Sequence, residues 1–217
     1  MGEGRLIPGA YSRRFTGWFS RWIGGMFRKR FNAVRAEPGT SAVMRSLADH
    51  PGPVIVLLNH SSWWDPLICV LAASVWAPGR TPAAPMDASQ LQKFGIFRKM
   101  GIFGVDPDDA AGLRAMTRYV MGIFEREPLP TLWITPQGRF ADVRSPIVVR
   151  PGAASIAAAA CRSDVIGAGS LRVVSLSVEY GFWHDQRPEV FLRAKAVDPP
   201  PAPSRTGGWR RAMEAAM

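Results

Sequence analysis

Two residues of this chain have the types and spacing to do chemistry together, His60 and Asp65. A carboxylate bonded to one imidazole nitrogen fixes the tautomer and leaves the other nitrogen free as a base. Such a pair can take the proton from a hydroxyl. Five residues apart on one helix, the two side chains would point about 140° apart and could not meet. Across a turn from strand to helix they can. The same two letters also fit a capping aspartate beside a polar loop histidine, so the surrounding sequence has to decide.

That surrounding sequence supplies the turn. Val54 to Leu58 is a short bounded apolar run, which reads as a buried strand, and Leu67 to Ala77 is a longer one, which reads as a buried helix. Asp65 before Pro66 is expected to be the helix N-cap, with the proline at the first helical position. His60 then stands on the loop leaving the strand, and Asp65 at the mouth of the helix.

Two later stretches repeat the strand-then-polar-turn pattern. Gly101 to Pro107 is a short hydrophobic segment ending in Asp106-Pro107, and Asp106 to Asp109 is expected to cap a helix over 110–127. Thr131 to Thr135 is a second buried strand, ending in Pro136-Gln137-Gly138-Arg139-Phe140. A glycine after a strand lets backbone donors come close to an anion, and an adjacent arginine can grip it with two hydrogen bonds. Arg139 and Arg144 are therefore phosphate candidates; the alternative is a surface charge network of Arg139, Asp142 and Arg144.

Taken in order, these stretches resemble the glycerolipid (1-acylglycerol-3-phosphate) acyltransferase family. Its first block is Asn-His, four residues, then Asp, often followed by Pro. Asn59, His60, Asp65 and Pro66 match it, with Ser61 in the usual small position. The resemblance covers roughly 50–195 and implies an O-acyltransferase, with His60 as general base and Asp65 orienting it. It implies acyl-CoA or acyl-carrier protein as donor and a lysophospholipid as acceptor, most directly 1-acylglycerol-3-phosphate. Asn59, Ser61, Pro136, Gln137, Gly138, Arg139 and Arg144 would line the substrate, and no metal or cofactor is expected. Departures fall in the later blocks. Pro107 stands where the family has an arginine, Gln137 replaces a glutamate, Arg139 arrives one position early, and Val174-Ser175-Leu176 lacks a proline. These leave open another lyso-lipid or lipid-like alcohol as acceptor, Arg98 or Arg114 as replacements, or a catalytically inactive membrane-binding module. A soluble hydrolase is disfavoured, because no Gly-x-Ser-x-Gly elbow is present.

The charge of the chain is placed unevenly. Eight basic residues and one acid, Glu3, stand before Ala36, within a net charge of +10 over 217 residues. Over 13–35, Phe15, Trp18, Phe19, Trp22, Ile23, Met26, Phe27 and Phe31 recur at helical spacing, with Arg14, Arg21, Arg28, Lys29 and Arg35 off that stripe. Aromatics beside this many cations describe a helix lying in an anionic membrane surface, the alternative being a helix docked on the protein's own core. Nucleic acid is not an expected partner, since no recognition motif accompanies the basic stretch. No apolar run reaches the roughly 18 to 20 residues of a membrane span, and the start does not read as a signal peptide. Cys69 and Cys161 read as reduced thiols. The expected site is the cytoplasmic face of the cell membrane, held peripherally.

Strands alternating with helices predict an α/β fold, a central mixed twisted sheet flanked by helices. The expected organisation is an interface helix over 1–38, the acyltransferase-like domain over 39–198, and a Pro-rich linker with a terminal helix over 199–217. Further expectations are a short helix over 40–49 capped by Thr40 or Ser41, a connector from Pro78 to Pro85, and one helix from Met86 to Gly101. A small-residue helix from Pro151 to Cys161 and strands over 173–180 and 189–196, the last antiparallel, complete the reading.

Overall fold

A computed structural model describes residues 6–167 and 169–217; Glu3 and Arg5 of the basic segment lie outside them. The chain opens with β1 (Leu6–Ile7), α1 (Arg13–Arg30), β2 (Val34–Ala36) and α2 (Thr40–Arg45). Then come β3 (Val54–Leu58), α3 (Asp65–Trp76), β4 (Thr81–Asp87), α4 (Ala88–Lys93) and β5 (Ile102–Val105). The rest is α5 (Ala110–Arg126), β6 (Pro130–Ile134), α6 (Pro151–Arg162), β7 (Arg172–Gly181), β8 (Glu189–Ala196) and α7 (Thr206–Ala216).

Among the described residues eight strands form one sheet in the order β1-β5-β4-β6-β3-β7-β8-β2. The central five run parallel, β8 runs antiparallel to β7, and β1 antiparallel to β5. The fold is thus α/β with a mixed sheet flanked by helices, as the alternation predicts. Continuous apolar strands follow from burial on both faces. In β3, Ile55 and Leu57 join the core under α5, α6 and α7, while Val54, Val56 and Leu58 join the core under α1 and α3. Alternation of side chains across the pleat sends them to opposite layers. Buried Arg80 ties the opposite end of the sheet together, donating to the carbonyls of Leu47, His50, Gly52 and Pro130. Lost hydration brings its guanidinium down to about 10, so it remains a cation at neutral pH.

Several boundaries differ from expectation. The predicted Pro78–Pro85 connector contains β4, an interior strand despite Pro82 and Pro85. Its register explains the tolerance: Thr81 to Ala83 pair with β6, and Ala84 to Asp87 with β5. Thr81 donates its N–H to Leu129 on the β6 side and Ala84 to Gly101 on the β5 side. By that alternation, each proline lacks its N–H on a side where no partner strand runs. The helix expected from Met86 to Gly101 breaks into α4 and a 3₁₀ turn, Gly95–Met100. Gly101 closes that turn at φ 83°, where a Cβ would lie 2.0 Å from the Pro82 carbonyl oxygen.

Neither Thr40 nor Ser41 caps α2; Gly39 does, in the left-handed region. The Thr40 hydroxyl is engaged instead with β8, accepting from the Ala194 N–H. Helix α1 stops at Arg30, short of Arg35, because the chain turns to pair β2 with β8. There Asn32 and Arg35 meet the buried Glu189 carboxylate, and the Arg35 guanidinium holds that carboxyl down at about 2. The terminal helix begins at Thr206, and its buried Trp209 indole donates to the Pro203 carbonyl at 2.7 Å.

The aromatic stripe of α1 divides. Ile23, Phe27 and the following Phe31 are buried in the core beside α3, whereas Trp18 and Trp22 are 59% and 52% exposed. No helix among the described residues is long and apolar enough to cross a membrane.

Candidate active site

The carboxyl ends of the parallel strands β3, β6 and β5 lie at one edge of the sheet, and each feeds a turn that the sequence singled out. Open α/β sheets place their ligands at that edge. Helix α3 begins at Asp65, with Trp64 at the N-cap position, so Asp65 is the first helical residue rather than the cap. Its carboxylate turns back over the loop. Oδ2 accepts from His60 Nδ1 at 2.9 Å and from the Ser61 and Ser62 N–H groups at 2.8 Å each. Oδ1 accepts from the Tyr180 hydroxyl at 2.7 Å.

Asp65 is completely buried, and these four donors replace the water it has lost. With Nδ1 donating, Nε2 of His60 is left as the acceptor nitrogen, and no partner engages it among the described residues. His60 forms part of the wall of a cavity of about 730 Å³. Val70, Met100, Ile102, Val105, Met116 and Trp133 give that cavity an apolar lining, while Arg139 and Arg150 add cationic groups. Cys69 also lines it, and burial together with the charge of Asp65 keeps its thiol protonated.

Not every residue selected from sequence reaches the cavity. Pro136, Gly138 and Arg139 line it; Asn59, Gln137, Ser61 and Arg144 do not. Asn59 clamps the turn to β7, donating to the Val178 carbonyl and accepting from the Val178 N–H. Gln137 accepts the backbone N–H of His60 at 2.9 Å, and the Ala141 N–H donates to the His60 carbonyl. These residues hold His60 from behind. Ser61 uses its N–H for Asp65, and its buried hydroxyl has no partner among the described residues. Arg144 grips Asp142 with two hydrogen bonds and is 86% exposed. Two of the three members of the expected surface network are therefore paired, and among the described residues Arg139 does not join them.

Three residues escaped the sequence reading. Arg150, at the N-cap of α6, lies over Gly138 and donates to the Pro107 carbonyl at 2.8 Å and to Asp108. It thereby reaches Pro107, where the sequence resemblance would have an arginine. No local signal marks it, since β6 and α6 are separated by a long irregular loop. Phe140 packs against His60 with its ring tilted by 31° and centroids 4.0 Å apart, and it is 60% exposed. Tyr180 was readable only as the end of a strand. Arg98, offered as a replacement, donates to the Pro8 carbonyl, and neither it nor Arg114 lines the cavity.

The family model described as Acyltransferase matches residues 45–177, more than half of the chain. The chain belongs to the Acyltransferase family. No match is found among curated proteins. The acyltransferase match spans β3, β6 and the turns that carry His60, Asp65 and Arg139.

Proposed function

We propose that this acyltransferase is a membrane-associated O-acyltransferase, transferring a fatty acyl group from a thioester to the free hydroxyl of a lysophospholipid. The observation that carries the reading is a histidine with one nitrogen tied to a buried carboxylate and the other free on an apolar cavity flanked by arginines. His60 Nε2 takes the proton from the acceptor hydroxyl as its oxygen attacks the thioester carbonyl carbon. Collapse of the tetrahedral intermediate breaks the carbon–sulfur bond, and the imidazolium gives its proton to the departing thiolate. Asp65 stabilises the imidazolium between these two steps without taking its proton.

The cavity volume falls within the range of small-molecule sites, and its lining suits hydrocarbon. Arg139 and Arg150 favour an acceptor with a phosphate, of which 1-acylglycerol-3-phosphate is the simplest; acyl-CoA or acyl-carrier protein would be the donor. Exposed Trp18 and Trp22, with the cations of α1, support peripheral contact with an anionic, cytoplasm-facing membrane surface. A different lipid-like alcohol is the second reading, favoured by Pro107 in place of an arginine and by the engagement of Arg144 with Asp142.

The test is transfer of labelled acyl groups from acyl-CoA, and separately from acyl-carrier protein, to 1-acylglycerol-3-phosphate, lysophosphatidylcholine and monoacylglycerol. Preferential acylation of the phosphomonoester is expected. Equal use of uncharged monoacylglycerol would favour the second reading, and no lipid product with any pair would refute both.

A further inference from the structure

The Asp65 carboxylate has two oxygens with different neighbours. Oδ2 serves the turn, taking His60 Nδ1 and two backbone N–H groups, while among the described residues Oδ1 receives the Tyr180 hydroxyl alone. Tyr180 comes from the far end of β7, 115 residues from Asp65 in sequence. Its ring packs beside Phe31, and Phe31 in turn meets Trp64 edge-on, with centroids 5.0 Å apart. The phenol is therefore held by the aromatic cluster in which α1 ends, and Tyr180 has no place on the cavity wall.

We infer that Tyr180 is a positioning residue for the His60–Asp65 pair, locking the carboxylate so that Oδ2 faces Nδ1. This rests on His60 acting as the base. A buried carboxylate with one oxygen unmatched would gain by rotating or by drawing in water, and either change would loosen the imidazole. The tyrosine suits this task because burial and the charge of Asp65 push its phenol up, so it donates throughout the working pH range. It takes no proton in the reaction and touches no substrate. Its effect passes through Asp65.

Tyr180→Phe keeps the ring against Phe31 and removes only the hydroxyl. Expected is a fall in kcat of about tenfold, the scale of one lost hydrogen bond to a charged group, with KM for donor and acceptor unchanged. A second readout does not depend on activity. The chain has three histidines, so ¹⁵N-histidine NMR can follow His60, assigned by its absence in His60→Gln. The Nδ1–H, bonded to Asp65, should be protected from solvent exchange in the wild type and should exchange much faster in Tyr180→Phe. In an Asp65→Asn background the same substitution should change neither readout. Wild-type kcat and exchange in Tyr180→Phe, or an equal effect in the Asp65→Asn background, would overturn the assignment. If no acceptor is acylated, the exchange measurement still decides the coupling. Where an acceptor is acylated, failure of the base reading shows separately as full activity in His60→Gln.

Discussion

The turn carrying His60 and the loop carrying Arg139 leave neighbouring strands, β3 and β6, at the same edge of the sheet, yet they are built on opposite plans. In the turn, Asp65 is wholly buried with both oxygens engaged, and Asn59 and Gln137 brace the backbone from behind. In the loop, Arg139, Phe140 and Arg144 face solvent, and the Asp142–Arg144 pair lies beyond the cavity. Proton transfer needs atoms held to a fraction of an ångström, whereas an anion can be met by long cationic side chains from several directions. Of the stretches that resemble the glycerolipid acyltransferase blocks, the one carrying His60 and Asp65 keeps the pattern, while Pro107 and Gln137 depart from it.

The contrast can be broken at the rigid side first. Asp65→Asn replaces an all-acceptor carboxylate with a group that donates on one side, against four incoming donors. Turnover should fall by roughly 10² to 10⁴, as expected when a histidine loses the carboxylate that sets its tautomer. Steady-state kinetics measures this, and an effect below threefold would show that the turn does not govern the chemistry.

On the open side, Arg139→Ala and Arg150→Ala should each raise KM for a phosphate-bearing acceptor by about tenfold, leaving uncharged acceptors unaffected. Arg144→Ala should change neither. A loss with Arg144→Ala as large as with Arg150→Ala would mean that the loop rearranges around the acceptor. Replacing Trp18 and Trp22 together by Ser should weaken flotation with anionic liposomes several-fold while sparing kcat on a short-chain, water-dispersed acceptor. Undiminished flotation would place the membrane contact elsewhere.

The smallest effect concerns Glu189, which joins β8 to the segment after α1. Its folded-state carboxyl is depressed from 4.5 to about 2 by Arg35 and Asn32. Its contribution to stability is therefore full above about pH 4.5 and disappears as the pH falls through about 2. In urea melts, wild type should be more stable than Glu189→Gln at neutral pH, and the gap should close over that acid window. A constant gap would show that packing, rather than charge, supports the joint.

Much of this division can be read from the sequence, and what cannot has physical causes. Val54–Leu58 and Thr131–Ile134 declare themselves as strands because both faces are buried and every residue is apolar or small. His60 and Asp65 are legible because five residues span a turn, so their meeting is a local event. Arg150 and Tyr180 reach the site through tertiary packing, across 42 residues to Asp108 and 115 to Asp65, and no spacing announces them. Strand β4 was hidden by its prolines, since its tolerance for them depends on where two partner strands begin and end. In α1 the helical period was clear, but a period cannot tell that Phe27 would meet Trp64 while Trp22 stays in solvent.

The central claim is that His60 is the base of an acyl transfer to a hydroxyl. The most direct measurement compares wild type with His60→Ala in transfer from labelled acyl-CoA to 1-acylglycerol-3-phosphate, with thermal unfolding recorded for both. The account expects a labelled diacyl product from wild type, a rate lower by roughly 10² to 10⁴ in the variant, and closely similar unfolding. A correctly folded His60→Ala enzyme that forms the product at the wild-type rate would contradict it.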